Sequence, residues 1–276
     1  MGASLNALRD TSRTIIDHPG LFISGLCSVL ILILGTGLSV LPLGSRTLYA
    51  VIVLPIAFVG FVTVANGVRT NTDPGIIRGF AAGVRTYGSS LIIAYLLIYL
   101  IQFCFTFVFI FGMTQIGIPT GRLFRAPMAL LGSSPYSTVE AALIIIALLS
   151  GFLILFLLTL IQQFLDVAVV IGSCSGPDAL RKAGELIRTA PGSIIGYIII
   201  RGSILLLGIM PSVFVFGSTI PDSITAAAVV FWFLPFLAFV ISMIFHVCYY
   251  RHREGLDSSQ PIEKPTSTGS SQLSND

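Results

Sequence analysis

The chain has 276 residues, a mass of 29.5 kDa and a formal net charge of +3 at pH 7. Hydrophobic residues make up 55% of it and charged residues 10%, and its mean hydropathy is +0.96. Because soluble domains carry about 25% charged residues, this composition excludes a soluble protein and indicates an integral membrane protein. The small positive charge favours a membrane surface over a nucleic acid as the partner.

Six apolar runs follow one another along the chain, each long enough to cross a hydrocarbon core about 30 Å thick. They cover residues 21–43, 48–68, 89–111, 139–172, 193–216 and 224–250. The fourth run is too long for a straight perpendicular crossing. The sequence therefore predicts an all-α polytopic membrane protein with six transmembrane helices in one domain, residues 1–253. The polar segment 254–276 is predicted to be a disordered tail.

The basic residues predict how these spans are oriented. Of the 15 Lys and Arg residues, 11 fall on the side of the two termini and three on the opposite side, and Arg201 lies within a span. Cytoplasmic loops carry the excess of Lys and Arg in membrane proteins. We therefore expect a multi-pass protein of the cell membrane with both termini in the cytoplasm.

A repeated segment precedes two of the spans. Residues 73–93 and 176–196 align with Pro, Arg, Thr and Ser at matching positions, and the N-terminus is a fainter third copy. Segments 4–17, 74–87 and 177–190 are predicted to form two or three amphipathic helices lying flat on the cytoplasmic face. In each repeat unit, the amphipathic helix would be followed by a break at Gly or Pro and then by a hairpin of two transmembrane helices. The alternative is that basic inner loops beginning with a helix breaker produce this pattern without true repetition.

The basic faces of these helices predict contacts with anionic lipid headgroups. The residues expected there are Arg78, Arg85, Arg181, Lys182 and Arg188. A docking platform for a cytoplasmic partner is the alternative interpretation of the same faces.

One stretch carries a resemblance to a known group of proteins. Residues 162–197, QQFLDVAVVIGSCSGPDALRKAGELIRTAPGSIIGY, resemble a poorly characterised archaeal, haloarchaeal-type family of multi-spanning membrane proteins. That family is distantly similar to the membrane domain beside some glycerophosphodiester phosphodiesterases. Asp166, Arg188, Pro191 and Gly192 match its pattern, whereas Ala190 stands where Asn is usual. The resemblance implies a multi-spanning helical fold and no activity, because the family has no agreed function.

Two charged residues lie inside predicted spans, where an ionisable side chain costs about 2.5–3.5 kcal/mol and marks a candidate site. Asp166 and Arg201 lie about 9 and about 13 Å from the inner ends of their spans, near enough for their side chains to meet. Polar amides in the inner halves of the spans could complete a pocket opening to the cytoplasm, namely Gln102, Gln162, Gln163 and Asn66. The alternative is an ion pair that only fixes helix packing.

Motifs for catalysis are missing from the sequence. There is no HExxH, GxSxG or P-loop pattern and no CxxC pair, so we expect no enzymatic activity, no metal and no cofactor. His246, near the inner end of the sixth run, belongs to no carboxylate–histidine motif. The sequence favours a membrane scaffold or accessory subunit that engages anionic lipid, a membrane partner or a second copy of itself. A small transporter using the pocket around Asp166 and Arg201 is the alternative.

Overall fold

A computed structural model of the chain describes residues 2–38, 49–70, 72, 75–115, 138–217 and 232–256. Within this part of the chain the secondary structure is entirely helical. The helices are α1 Gly2–Asp17, α2 Leu21–Leu38, α3 Leu54–Arg69, α4 Ile76–Gln115, α5 Thr138–Gln163, α6 Leu165–Val170, α7 Gly176–Thr189, α8 Pro191–Gly217 and α9 Leu234–Arg253. A π-helical turn, Tyr49–Val53, leads into α3.

Five of the helical segments are long and apolar enough to cross a membrane, and the bent pair α1–α2 supplies up to a sixth. The five are Val51–Arg69, Ile76–Gln115, Ile145–Val170, Pro191–Pro211 and Leu234–Arg253. The predicted all-α membrane fold is thus confirmed. The long fourth run is interrupted at Phe164, between α5 and α6. The predicted tail beyond residue 256 lies outside the described residues.

α1 lies at a steep angle to the spans, because the chain bends by 99° between α1 and α2. The bend falls at Pro19-Gly20, where the sequence predicts a break. α1 packs mainly against α9 and also against α8. Two polar contacts anchor it: Asp10 Oδ2 lies 3.1 Å from Arg69 Nη2 of α3 and 3.0 Å from His252 Nε2 of α9.

Two opposite faces run along α1. The face packed against the protein carries small and hydroxyl side chains, namely Ser4, Ala7, Thr11 and Thr14. Leu5 and Ile16 point away from it, 59% and 77% exposed, and Arg9 and Arg13 are exposed beside them. The small residues therefore pack against the rest of the protein, and the apolar side chains of Leu5 and Ile16 remain free to contact lipid. This arrangement suits a helix at a membrane surface.

α4 is one continuous helix of 40 residues. The sequence-based prediction of a separate interfacial helix 74–87, followed by a break, is wrong for this copy. At 1.5 Å per residue α4 is about 60 Å long, twice the hydrocarbon thickness, so its first turns extend beyond the membrane core. The aligned position explains the difference, because Gly88 allows the helix to continue whereas Pro191 in the other copy does not.

α7 forms over 176–189, close to the predicted segment 177–190. It ends at Ala190, which adopts a non-helical conformation immediately before Pro191 begins α8. A face of mostly small residues, Gly176, Ala179, Ala183 and Leu186, is buried against α4, α5 and α6. Lys182 Nζ lies 2.6 Å from Glu254 Oε2, just after α9. We call the end formed by α1, α7 and the last turns of α9 the basal end.

The densest part of the core lies near the basal end. The largest fully buried side chains there include Phe164, Tyr197, Phe245, Tyr249 and Tyr250. Away from this end the helices present large apolar side chains to their surroundings, for example Phe103, Phe152 and Leu207, exposed by 69%, 68% and 75%. Exposed apolar surface of this extent fits contact with lipid chains.

Candidate intramembrane site

The break between α5 and α6 positions the acidic residue of the site. The helix is interrupted at Phe164, and Asp166 lies in the first turn of α6. Its Oδ1 accepts a hydrogen bond from the Val167 backbone N–H at 2.9 Å. Only 3% of Asp166 is exposed. A negative side chain is favoured at this end of a helix because the free N–H groups are positive there.

A chain of side-chain hydrogen bonds links Asp166 to Arg201. Asp166 Oδ1 lies 3.1 Å from His246 Nε2, and His246 Nδ1 lies 2.8 Å from the Tyr197 hydroxyl. Tyr197 in turn bonds Arg201 Nη1, one helical turn further along α8. The two charges therefore interact through two intermediate side chains rather than as a direct pair.

The direction of donation along this series of hydrogen bonds follows from the two residues at its ends. Arginine only donates and a carboxylate only accepts, so the Tyr197 oxygen accepts from Arg201 and its proton goes to His246 Nδ1. His246 then carries its proton on Nε2 and donates it to Asp166. A second proton on His246 would leave the Tyr197 hydroxyl proton without an acceptor in this chain. With the protons placed in this way, His246 is neutral between a cation and an anion.

Arg201 makes several further contacts. Its Nε donates to Ser242 Oγ at 3.0 Å and its Nη1 to Gln163 Oε1 at 3.3 Å. Its Nη2 contacts Met243 Sδ at 3.7 Å, which is a weak acceptor. Guanidinium has five N–H groups, so within the described residues one Nη2 N–H is left for a ligand.

A cavity of about 410 Å³ adjoins these residues. Its polar lining comes from Thr159, Gln162, Gln163, Asp166, Tyr197 and Arg201, and its apolar lining from Leu54, Phe58, Tyr95, Phe156, Leu160, Ile198, Gly202, Leu205 and Met243. Helices α3, α4, α5, α6, α8 and α9 all contribute. A space of this size can hold a small organic ligand.

Comparison with known proteins gives a family without a function. Residues 3–252 match a family described as a domain of unknown function, DUF7847. The chain belongs to the DUF7847 family. No curated protein and no solved structure matches it. The DUF7847 match covers every helix from α1 to α9, and so includes the cavity.

The predicted polar residues only partly come together in this DUF7847 chain. Gln162, Gln163, Asp166 and Arg201 line the cavity. Gln102 reaches it only through Gln162, with Nε2 3.3 Å from Gln162 Oε1.

Asn66 does not belong to this cluster, and its predicted place there is wrong. Its Oδ1 accepts a hydrogen bond from Arg251 Nη1 at 2.7 Å. This bond joins the last turns of α3 and α9 at the basal end, because Asn66 lies too near the end of α3 to reach the cavity.

The burial of the lining residues shows where the cavity reaches the surface. Towards the basal end it is closed by fully buried rings, in which Phe164 lies 4.9 Å from Tyr197 and 5.3 Å from His246 between ring centroids. All three are 0% exposed. The exposed lining residues are Phe156, Thr159, Gln163 and Gly202, so the cavity reaches the surface on the side of the bundle, and the predicted opening to the cytoplasm stays a prediction.

Tyr197 and His246 are the residues that sequence reasoning missed as parts of the site. Their signal is spacing, because Tyr197/Arg201 and Ser242/His246 each lie four residues apart and so share a helix face. Both pairs interrupt otherwise apolar spans. Two polar i, i+4 pairs on consecutive spans predict a shared polar contact between those spans.

The predicted headgroup residues lie at the surface with one exception. Arg78, Arg85, Arg181 and Arg188 are exposed, and Arg181 Nε lies 3.8 Å from Glu185 Oε1. Lys182 is the exception because its ammonium is paired with Glu254.

Other reactive groups lie apart from the cavity. The cysteines are free thiols, and burial raises the pKa of the Cys174 thiol, in the loop before α7. A raised pKa lowers the thiolate fraction and with it the reactivity. Among the described residues, no group of three or more His, Cys, Asp or Glu side chains could hold a metal ion.

Proposed function

We propose that this protein is a non-enzymatic membrane protein that binds an anionic solute in the cavity around Asp166 and Arg201, as a small transporter does. The observation that carries the proposal is the 410 Å³ cavity itself. A purely structural ion pair needs no empty space beside it, because protein interiors are close-packed. Charged side chains facing a cavity within the membrane are typical of substrate pathways.

The polar groups of the cavity favour binding over catalysis. The Tyr197 hydroxyl donates to His246 and accepts from Arg201, so it is held in place rather than activated towards a substrate. An Arg201 N–H on Nη2, by contrast, is available to a carboxylate or phosphate oxygen. The non-enzymatic assignment rests on this bonding pattern and on the lack of catalytic motifs in the sequence.

Ligand binding can be tested by thermal stabilisation of the detergent-solubilised protein. We expect the monoanion benzoate or palmitate to raise Tm, because a ligand at 100 times its Kd adds about 2.7 kcal/mol to the stability of the folded state. Benzylamine should leave Tm unchanged. The double variant Arg201→Gln/Asp166→Asn, which strands no charge, should lose the response.

The matched control is Arg188→Gln at the basal end, which should keep the full response. If neither anion shifts Tm in the wild-type protein, or if the double variant responds like wild type, the cavity is not an anion site and the proposal fails.

A scaffold that engages anionic lipid is the second candidate, favoured by the four exposed arginines of α4 and α7 and by the free apolar side of α1. In this reading the basal end faces the cytoplasm, as the distribution of Lys and Arg predicts. A membrane partner or a second copy would bind the same face. The archaeal relationship stays a prediction from the resemblance of residues 162–197.

Lipid retention distinguishes this second role. The fourfold variant of Arg78, Arg85, Arg181 and Arg188 to Gln should retain less phosphatidylglycerol in native mass spectrometry, since each cation near the surface contributes about 1 kcal/mol. Retention of phosphatidylcholine serves as the control and should not change. Equal retention of phosphatidylglycerol by both proteins would argue against the scaffold role.

A further inference from the structure

We infer that the cavity is filled sideways, from within the bilayer, by a single-chain amphiphile with a monoanionic head. This inference rests on the proposed anion site and adds the route of entry and the class of ligand. It combines three observations: where the cavity reaches the surface, what closes its other end, and how polar its walls are.

The mouth of the cavity lies on the flank of the bundle. Four lining residues are exposed there, namely Phe156, Thr159 and Gln163 of α5 and Gly202 of α8. Gly202 lies 11 residues, or about 16 Å, from the start of α8, and Thr159 lies at a comparable height above the end of α6. In a hydrocarbon core about 30 Å thick, the mouth, which runs along α5 as far as Gln163, therefore lies among the lipid chains.

The other end of the cavity excludes entry from the aqueous side. Phe164, Tyr197 and His246 form a contiguous set of buried rings between the cavity and the basal end. Tyr249 extends this layer, with its ring centroid 4.7 Å from that of Tyr197. A solute from the cytoplasm would have to displace these rings, whereas a solute already in the bilayer meets an open mouth.

The lining of the cavity indicates the chemistry of the ligand. The walls are mainly aliphatic and aromatic, as in Phe58, Ile198 and Leu205, and suit a hydrocarbon chain. Arg201 lies one turn deeper in the membrane than Tyr197, and offers its remaining Nη2 N–H to an anionic head. Asp166 reaches Arg201 only through Tyr197 and His246, so the guanidinium can still bind a head with one negative charge, whereas a second negative charge would be left uncompensated.

The test uses the full-length protein in nanodiscs and measures equilibrium binding of radiolabelled palmitate and of phytanate, its isoprenoid-chain counterpart. Acetate carries the same head without a chain, and dodecyltrimethylammonium carries a chain with a cationic head. Gly202 lies at the mouth, and a Cβ added to it meets no heavy atom within 4 Å. The leucine side chain of Gly202→Leu therefore has room to occupy the mouth and block it. Gly112→Leu is the matched control, since Gly112 on α4 is equally open but does not line the cavity.

We expect saturable binding of palmitate or phytanate, at least tenfold weaker in Gly202→Leu and unchanged in Gly112→Leu. Acetate and dodecyltrimethylammonium should not compete. If acetate or benzoate binds through Arg201 while both long-chain acids do not, lateral entry by an amphiphile is refuted and the anion site survives. Binding of the long-chain acids that is equal in all three proteins would place them outside the cavity and would also overturn the inference.

Discussion

Arg201→Leu is expected to lower the free energy of unfolding by about 1–3 kcal/mol, the cost of leaving buried polar groups without their partner. The substitution leaves the buried Asp166 carboxyl, 3% exposed, without the cation at the other end of its hydrogen-bond chain. It also removes the donor that fixes the orientation of the Tyr197 hydroxyl. Unfolding by SDS in mixed micelles measures the change directly.

Two companion variants show whether charge is the cause. Arg201→Leu/Asp166→Asn should recover at least half of the lost stability, because no uncompensated carboxylate remains. Tyr197→Phe keeps both charges and removes one link, so it should cost only about 1 kcal/mol, the usual value of a hydrogen bond between membrane helices. Equal losses in the single and double variants would mean that Arg201 acts through packing alone.

Gly208→Ala should destabilise the protein by about 1–3 kcal/mol, the usual cost of overpacking a close contact. A Cβ added to Gly208 would overlap the Cβ of Ala238 on α9 and lie 3.0 Å from the Leu234 carbonyl oxygen. Both atoms belong to or adjoin the backbone, so the helices themselves would have to separate. Thermal unfolding in detergent reports the loss.

Gly202→Ala provides the matched control on the same helix. It faces open space, so the higher helix propensity of alanine should make it neutral or stabilising by up to about 1 kcal/mol. If the two variants change Tm by the same amount and in the same direction, contact between α8 and α9 at Gly208 does not contribute to stability.

The sequence predicts the fold well because length and apolarity alone determine where a helix can span a membrane. The helices and the bend at Pro19-Gly20 are recovered in this way. The continuous α4 is not, because an amphipathic pattern can be identical in a separate surface helix and in the first turns of a long one. Only the contrast between Gly88 and Pro191 distinguishes the two copies.

The candidate site is less predictable than the fold. Asp166, Arg201 and two glutamines stand out because charged and amide groups are rare in spans. Their connection through Tyr197 and His246 depends on how α8 and α9 are rotated against each other, and the four-residue spacing of the polar pairs on these helices indicates a contact without giving its partners. Asn66 shows the opposite error, since a polar residue predicted to join the cluster lies nearer the end of its helix and bonds Arg251 instead.

The pairing of the first helix with the last has a consequence for biogenesis. The small-residue face of α1 emerges from the ribosome first, yet its main neighbour, α9, begins only at Leu234. Throughout the intervening synthesis α1 lacks its main docking surface and stays at the leaflet, held by its apolar side. The last step of folding, in which Asp10 contacts both Arg69 and His252, therefore follows the synthesis of α9. A truncation before α9 would remove the C-terminal helix and would also leave α1 without its main contact.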